Sequence, residues 1–466
     1  MKDSTFGVLI MAAGKGTRMK SGLPKVLQPI LDKPMLGYLL KTVSEYGPAG
    51  TAVLVGHGGE RVRDYLEAYP SVDVLWQHEQ LGTGHAVQSA RSWWEKFENV
   101  VVLNGDLPLL KTETLRALLS QHRDMKAACS LVSFMAVSPD GYGRVVRKTL
   151  RGEETISVVE HRDASPEELE IREVNAGCYV FNVEALSGVV DRLRNDNAQG
   201  EYYLPDIVSL MNERNLPVRA VLAPEAEMLG VNSQKELAEV TRLVRDALLE
   251  NWMSQGVQIM DPSAVWIGPD VVLAPDVRLM PGVQLWGNSA VGEGSYIGPY
   301  SVLRNARLGS GVELIANVIV EDSELADGAK AGPFAYIRER SVLQERAFAG
   351  KFVELKKTRV GRGSKVPHLS YMGDATLGEN VNIGAGSITC NYDGKNKHPT
   401  EIGNRCFVGS DTMMVAPVRL GDDSMTAAGS TITADVPDGA LAVGRARQKN
   451  IEGWVRKRNQ QDKQGG

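Results

Sequence analysis

Two cations, Arg18 and Lys25, stand close to the paired glycines of Met11-Ala12-Ala13-Gly14-Lys15-Gly16-Thr17-Arg18-Met19, a run followed by Leu23-Pro24-Lys25. Glycines leave backbone N–H groups uncovered, and fixed positive charge beside them completes a cradle for a polyphosphate. The spacing is not GxxxxGK[ST], which disfavours a P-loop ATPase; alone, such a loop could equally be a tight strand-to-helix turn. Asp106, in Asn104-Gly105-Asp106, reads by itself as an N-cap ahead of Leu107-Pro108, although a carboxylate at a strand end is also a hard oxygen ligand. In the second half, His368 lies in Val366-Pro367-His368-Leu369-Ser370-Tyr371-Met372-Gly373-Asp374. A neutral imidazole can take a proton near pH 7, although a lone histidine is more often structural. Lys351, Lys356, Lys357, Arg359, Arg362 and Lys365 form a basic stretch that fits a phosphorylated sugar or coenzyme, or else a solvated face.

Two kinds of element must position these groups. Up to about residue 230, apolar runs alternate with helical patterns, as in doubly wound α/β domains. Phe6–Met11, Ala52–Val55, Val72–Trp76 and Val100–Leu103 read as strands; Met35–Glu45, Thr83–Ser92 and Thr112–His122 read as helices. The first and last of these strands run into Ala13-Gly14 and Gly105-Asp106. Ligands of open parallel sheets gather at such carboxyl ends, so the two loops are expected to face one crevice. Ser233-Gln234-Lys235-Glu236 then has the form of a capping box. Leu237, Val240, Val244, Ala247, Leu248 and Trp252 follow at helical spacing, with Gly256 as a stop.

From about Asp261 a different period takes over. Aliphatic residues recur every sixth position at Ile267, Leu273, Leu279, Leu285, Val291, Ile297 and Leu303. The phase slips by one residue and resumes at Leu308, Leu314 and Val320. It returns at Ile337 and Leu343, at Leu377 and Ile383, and at Ile402, Val408, Met414 and Leu420. Such a ladder predicts a parallel β-helix with three flat faces per coil and the aliphatic rungs inside. Asn391–Pro399 interrupts it as an inserted loop. The residues beyond Trp454 are polar and Gln-rich and read as a frayed tail.

The bulk numbers bound the rest. A chain of 466 residues exceeds a single core and implies two or three domains. A net charge of −5 argues against a generic nucleic-acid binder. Cys129, Cys178, Cys390 and Cys406 have no CxxC spacing and read as buried or incidental thiols in a reducing compartment. Phe6–Ala13 runs into Gly14-Lys15-Gly16 without a small-residue cleavage site, and no run approaches the ~18 apolar residues of a membrane span. A soluble, cytoplasmic protein is the expectation.

The motifs carry a resemblance. Ala12–Met19 with Leu23-Pro24-Lys25 resembles the signature of sugar-1-phosphate nucleotidyltransferases, and Gln80–Ala86 and Asn104-Gly105-Asp106 sit where that family places its base-binding loop and metal-binding Asp. Gly141–Arg144, Val159-Glu160-His161, Glu173–Gly177, Gly200–Tyr203 and Gly230-Val231-Asn232 fit the uridylyl branch acting on N-acetylglucosamine 1-phosphate. With the β-helix included, nearly the whole chain resembles the bifunctional N-acetylglucosamine-1-phosphate uridyltransferase/glucosamine-1-phosphate acetyltransferases.

The resemblance implies an α/β, Rossmann-like nucleotidyltransferase domain with a mostly parallel sheet over 1–232. A linker helix over 233–256 and a left-handed parallel β-helix of hexapeptide repeats over 257–466 follow. It implies acetyl transfer from acetyl-CoA to glucosamine 1-phosphate, then Mg²⁺-dependent uridylyl transfer from UTP to N-acetylglucosamine 1-phosphate, in a homotrimer with no nucleic-acid or membrane partner. Arg18 and Lys25 would stabilise the triphosphate. Met11, Ala12, Ala13, Gly14, Gln77, Gly82 and Thr83 would contact the uridine nucleotide, Gly143, Glu160 and Asn175 the sugar, and Asp106 and Asn232 the metal. His368 would be the general base of acetyl transfer. Arg338, Lys356, Tyr371, Asn382, Asn391 and Tyr392 would bind the amino-sugar phosphate. Ala385, Ser410, Ala428 and Arg445, with Asn391 and Tyr392, would hold acetyl-CoA. One segment departs from the pattern: Tyr336-Ile337-Arg338-Glu339-Arg340 stands where an Arg-x-Arg-Pro-Gly-like turn is expected. The rival readings are a monofunctional nucleotidyltransferase with a structural β-helix and a non-catalytic regulatory subunit. A β-helical carbonic anhydrase would need three histidines, and this half holds only His368 and His398.

Overall fold

The structure, a computed structural model, describes residues 5–150 and 153–462. It divides into two compact units, Met1–Arg245 and Asp246–Gly466.

Nine strands form the sheet of the first unit: β1 (Phe6–Ala12), β2 (Gly50–Val55), β3 (Val72–Trp76), β4 (Asn99–Asn104), β5 (Cys129–Met135), β6 (Arg144–Leu150), β7 (Glu153–Val159), β8 (Glu173–Asn182) and β9 (Val218–Leu222). Their order is β9-β5-β8-β4-β1-β2-β3, with the β6–β7 hairpin attached to β8. The run β4-β1-β2-β3 is parallel, while β8 lies antiparallel between β4 and β5. Side chains of β1 and β4 alternate between two cores. Val8, Ile10, Val101 and Leu103 pack on one face, and Leu9, Val100 and Val102 on the other. Burial on both faces is why these strands read as unbroken apolar runs. The chain winds outward from β1 through β2 to β3, then crosses to β4 on the other side of β1. The switch point lies between β1 and β4, where Met11 is in register with Asn104.

Two expectations need correction here. The helix read over Thr83–Ser92 ends at Ser89, because Ala90 leaves helical geometry (φ −92°, ψ 7°), and a separate turn of helix covers Arg91–Trp94. Of the tail beyond Trp454, the described residues form a helix, Trp454–Asp462, exposed over Trp454–Gln460, and residues 463–466 lie outside the described residues. No Gly or Pro interrupts that segment, and Arg458 stacks over the Trp454 ring one turn back, 5.6 Å from its centroid.

Ser233 and Glu236 cap the helix Gln234–Ser254 reciprocally. Glu236 N donates to Ser233 Oγ (3.3 Å), and Ser233 N donates to Glu236 Oε2 (2.9 Å). Gly256, at φ 91°, lies just beyond the helix's end.

In the second unit three parallel sheets of 11, 10 and 9 strands take one strand each from successive coils, until the last coils, which lack a strand in one or two of the sheets. Every rung predicted from the hexad is buried, from Ile267 to Leu420. The phase slip at Leu303 leaves the stacking intact: Leu285 pairs with Leu303 at 18 residues and Val291 with Leu308 at 17. Asn305 absorbs the shorter corner in a left-handed conformation (φ 49°). Buried serines serve the corners' backbone; Ser289 Oγ donates to Trp286 O (2.7 Å) and accepts from Ala306 N (3.1 Å). At Asn391–Pro399 the coil length jumps, with Leu377 in register with Ile402, and the excess leaves as a loop pinned by a Tyr392–Lys397 bridge. Among the described residues, no helix is long and apolar enough to cross a membrane. The cysteines are free, and burial pushes the Cys178 thiol up to about 12.

Candidate active sites on the two units

The carboxyl ends of β1 and β4 open onto a cavity of about 490 Å³. Gly105 N donates to Met11 O (2.9 Å), which fastens the two strand ends together. One wall is the expected phosphate cradle, Met11 to Arg18 with Lys25. The opposite wall carries Gln77, Gln80, Gly82 and Thr83. That wall is fixed from behind. Buried Gln77 donates to Gly82 O (3.3 Å), and Thr83 Oγ1 accepts from Leu204 N (3.0 Å). Gly82 sits at φ 113°, and a Cβ there would come within 2.5 Å of Tyr202 O, so no other residue fits.

A second cavity, about 210 Å³, adjoins the first and is lined by Gly143, Glu160, Asn175 and Tyr142 among others. Both cavities share Arg18, Asn104, Asp106 and Asn232. At this junction Lys25 Nζ forms an ion pair with Asp106 Oδ2 and donates to Asn232 Oδ1 (2.7 Å). Arg18 Nη2 donates to the same Asn232 oxygen (2.7 Å). The capping box reaches into this cluster, because Glu236 Oε2 also accepts from Asn232 N (2.6 Å). Asn175 N donates to Gly143 O (2.8 Å), joining two predicted sugar contacts directly. The Glu160 carboxyl is raised above its usual range, first by burial and then by Asp206, Asp163 and Glu201. A half-buried carboxyl lining a small polar cavity is suited to accept hydroxyl hydrogen bonds.

Among the described residues no group of three or more His, Cys, Asp or Glu side chains could hold a metal ion. Of the residues the two cavities share, Asp106 offers the one carboxylate, with the amide oxygens of Asn232 and Asn104 beside it. That sparse set fits Mg²⁺, which keeps several waters and is bound by one or two protein oxygens together with phosphates.

Several lining residues had no assignment from sequence. Gln80, Glu201 and Lys15 line the larger cavity, and Asn104 lines both. Arg144, buried in the Gly141–Arg144 motif, donates to Pro139 O (2.8 Å) and Tyr142 O and is a scaffold for the sugar-side loop.

On the second unit most of the predicted residues fall on one face and its two edges, with Asn382 and Arg445 outside it. Lys351, His368, Ala385, Ser410 and Ala428 occupy equivalent places in successive coils. Leu369 N donates to Lys351 O (2.9 Å), Gly386 N to His368 O (3.4 Å), Asp411 N to Ala385 O (2.7 Å) and Gly429 N to Ser410 O (2.8 Å). Thus the predicted base and three predicted coenzyme contacts form a single column. His368 is exposed on it. The adjoining face carries Arg338 in register with Lys356, and Glu354 in register with Tyr371. The inserted loop flanks its far edge, where Asn391 Nδ2 donates to Asp374 Oδ2 (2.5 Å). Gly373 makes room there: a Cβ would lie 2.3 Å from the Tyr371 hydroxyl and 2.7 Å from Asn391 Nδ2. Tyr392 is exposed and donates to Gly394 O (2.7 Å). Asn382, in register with Lys365, lies on the neighbouring sheet, and Arg445 is exposed beyond the last strand, Leu441–Ala442.

The basic stretch Lys351–Lys365 is not one patch. A coil of 17 residues visits all three faces, so Lys351 and Lys365 lie on one sheet, Lys356 on a second and Arg359 on the third, while Arg362 pairs with Glu379 (3.1 Å). Of the six, Lys351 stands in the His368 column, and the buried Lys356 lies on the adjoining face beside Arg338. Its companion is Lys397 from the inserted loop, whose ammonium is held below the ordinary lysine range by Lys356. No periodicity marks Lys397; its place in the loop is the signal.

Comparisons with known proteins agree with both halves. Residues 8–154 match the MobA-like NTP transferase domain, and residues 399–434 match the hexapeptide repeat of succinyl-transferase. A protein of Thermus thermophilus called bifunctional protein GlmU is 48% identical, over 96% of this chain and 98% of its own length. Proteins of the same name from Heliobacterium modesticaldum and Fervidobacterium nodosum are 45% and 44% identical, over 96% and 97% of this chain and 97% and 98% of theirs.

Proposed function

Because this chain belongs to the bifunctional GlmU family, we propose that it makes UDP-N-acetylglucosamine in two steps. It is both a glucosamine-1-phosphate acetyltransferase and an N-acetylglucosamine-1-phosphate uridylyltransferase. Uridylyl transfer is assigned to residues 1–232, acetyl transfer to 257–466, and the helix between them to linkage. The observation that carries the reading is the pair of adjoining cavities with one shared set of polar side chains, Arg18, Asn104, Asp106 and Asn232.

In uridylyl transfer the sugar phosphate attacks the α-phosphorus of UTP in line, and pyrophosphate leaves. The larger cavity takes the nucleotide, with the base against Gln77, Gly82 and Thr83 and the triphosphate along Met11–Gly14. The smaller takes the sugar, against Gly143, Glu160 and Asn175. Chemistry then falls at the junction, where positioning and neutralisation of charge are the main catalytic tasks. Arg18 and Lys25 supply positive charge to the phosphates there. Asp106 and Asn232 would hold Mg²⁺, which when bound offsets phosphate charge and polarises the reacting oxygen.

In acetyl transfer the 2-amino group attacks the thioester carbonyl while His368 takes its proton; the C–S bond then breaks, and CoA leaves as the thiol with that proton. Arg338, Lys356 and Lys397 face the phosphate, with Tyr371, Asn382, Asn391 and Tyr392 around the sugar. The column Ala385–Ser410–Ala428, with Asn391, Tyr392 and Arg445, takes acetyl-CoA. An exposed apolar stripe borders that column. Tyr300, Phe334, Phe352 and Leu369 protrude from one corner of the coils, with the rings of Phe334 and Phe352 stacked 5.3 Å apart. Such a stripe supports self-association beside the acetyl-transfer site, and three triangular prisms close around an axis without an open edge. A cytoplasmic homotrimer is the assembly we assign. The test of the two-step reading is an assay with glucosamine 1-phosphate, acetyl-CoA and UTP in which free CoA and pyrophosphate are followed separately. Pyrophosphate released when N-acetylglucosamine 1-phosphate is supplied, with no CoA released from glucosamine 1-phosphate and acetyl-CoA, would reduce the chain to a monofunctional transferase.

A further inference from the structure

Glu339 stands in the middle of the cations that face the acetyl acceptor's phosphate. Its carboxylate pairs with Arg338 Nη1 and lies 3.7 Å from Lys356 Nζ. Arg338 is already neutralised without it, since Nε and Nη2 both donate to Glu354 Oε1 (2.9 and 2.7 Å). A second carboxylate on that guanidinium adds little to the fold, and its side chain is 41% exposed.

The backbone is bent to put it there. On this corner the coils on either side turn through one left-handed residue: Asn305 and Asp322 before, Lys357 and Asp374 after. Here the segment from Ile337 to Leu343 is longer, and Glu339 and Arg340 adopt φ of 53° and 63° in succession. Side chains other than glycine rarely take that conformation, and strain of this kind collects at functional sites. Arg340 N still donates to Asp322 O (2.8 Å), so the ladder continues through the turn.

We propose that Glu339 is an internal competitor for the phosphate subsite, setting the affinity of acetyl transfer for its phosphorylated acceptor. This rests on the assignment of Arg338 and Lys356 to the sugar phosphate. An incoming phosphomonoester dianion meets a guanidinium and an ammonium already partnered by a carboxylate, and it must displace that carboxylate to bind. The competition weakens binding of every phosphate-bearing ligand.

The experiment measures acetyl transfer by E339Q, E339A and E339D beside the parent enzyme and K356A, with inorganic phosphate as the probe ligand. Removing the charge in E339Q is expected to lower KM for glucosamine 1-phosphate, with kcat retained, on the order of threefold to fivefold as befits a part-exposed ion pair. Inhibition by inorganic phosphate should strengthen in parallel, and E339D should stay near the parent. E339A serves if E339Q does not fold. KM unchanged or raised in E339Q, while K356A raises it, overturns the proposal and leaves the phosphate assignment standing. KM unchanged in both E339Q and K356A overturns the assignment and the proposal together.

Discussion

Lys25 and Asp106, 81 residues apart in the chain, form an ion pair where the two cavities of the first unit meet. The pair joins the glycine loop after β1 to the acidic loop after β4. Asn232, reached from the far end of the unit, accepts from Lys25 and Arg18 alike. Three loops distant in sequence therefore set one point in space, and a substitution at any of them should be felt in uridylyl transfer alone.

The two activities are expected to separate. Asp106→Ala should lower uridylyl transfer by about 10²–10³-fold, the scale for losing one preorganised electrostatic group, with acetyl transfer intact. His368→Ala should do the reverse, lowering acetyl transfer by about 10²–10⁴-fold, the usual contribution of a general base. Loss of both activities in either variant, with its circular dichroism unchanged, would contradict two independent sites.

Glu236 should matter to the chemistry as well as to the helix. Its carboxylate accepts from Asn232 N and Ser233 N, so Glu236→Ala removes an N-terminal cap and frees Asn232. A stability loss of about 0.5–2 kcal/mol is expected from urea titration. The same variant should show reduced uridylyl kcat/KM and normal acetyl transfer. A stability loss with full uridylyl activity would reduce Glu236 to a cap.

The raised Glu160 carboxyl gives a pH signature. A group whose folded-state pKa exceeds its unfolded one binds more protons in the folded state. Its favourable contribution is therefore present below the unfolded pKa, about 4.3, and is lost as pH rises through the folded value. Glu160→Gln removes that term. Relative to the parent, the variant should gain stability as pH rises above about 4.3, read as the shift in urea midpoint with pH. It should also bind N-acetylglucosamine 1-phosphate more weakly. A midpoint difference that does not change with pH would refute the assignment of Glu160 as a strained carboxyl.

Assembly should be required by one activity only. On serial dilution, followed by light scattering, acetyl transfer should fall as the oligomer dissociates, and uridylyl transfer should not. Replacing Phe334 and Phe352 by Ser should move that transition to higher protein concentration. A monomer with undiminished acetyl transfer would remove the basis for placing the site beside the apolar corner.

Much of this fold is legible in the sequence itself. The hexad rungs were readable because each faces the interior, and the interior admits only small aliphatic groups at a fixed spacing. The glycine loop and the capping box were readable because both are local, with partners within a few residues. What escaped was contact between coils. The six cations of Lys351–Lys365 are neighbours in sequence, yet the coil spreads them over three faces, whereas Lys356 and Lys397 are distant in sequence and adjacent in space. Glu339 was visible as a departure from pattern, but its partners were not. Ala90 broke a helix that periodicity alone had continued.

The His368 column has a further consequence. Strands of neighbouring coils lie about 4.8 Å apart, so the three steps from His368 through Ala385 and Ser410 to Ala428 span about 14 Å. The domain thus works as a ruler graduated in whole coils. Added residues at a corner, as in Asn391–Pro399, leave as a loop and do not move the marks; Leu377 still meets Ile402. The reach of this edge can change only by inserting or deleting a complete coil, 17 or 18 residues at a time in the spacings from Val291 to Leu308 and from Leu285 to Leu303. Length along the ligand is therefore inherited in discrete units, while the chemistry displayed at each mark can drift one residue at a time.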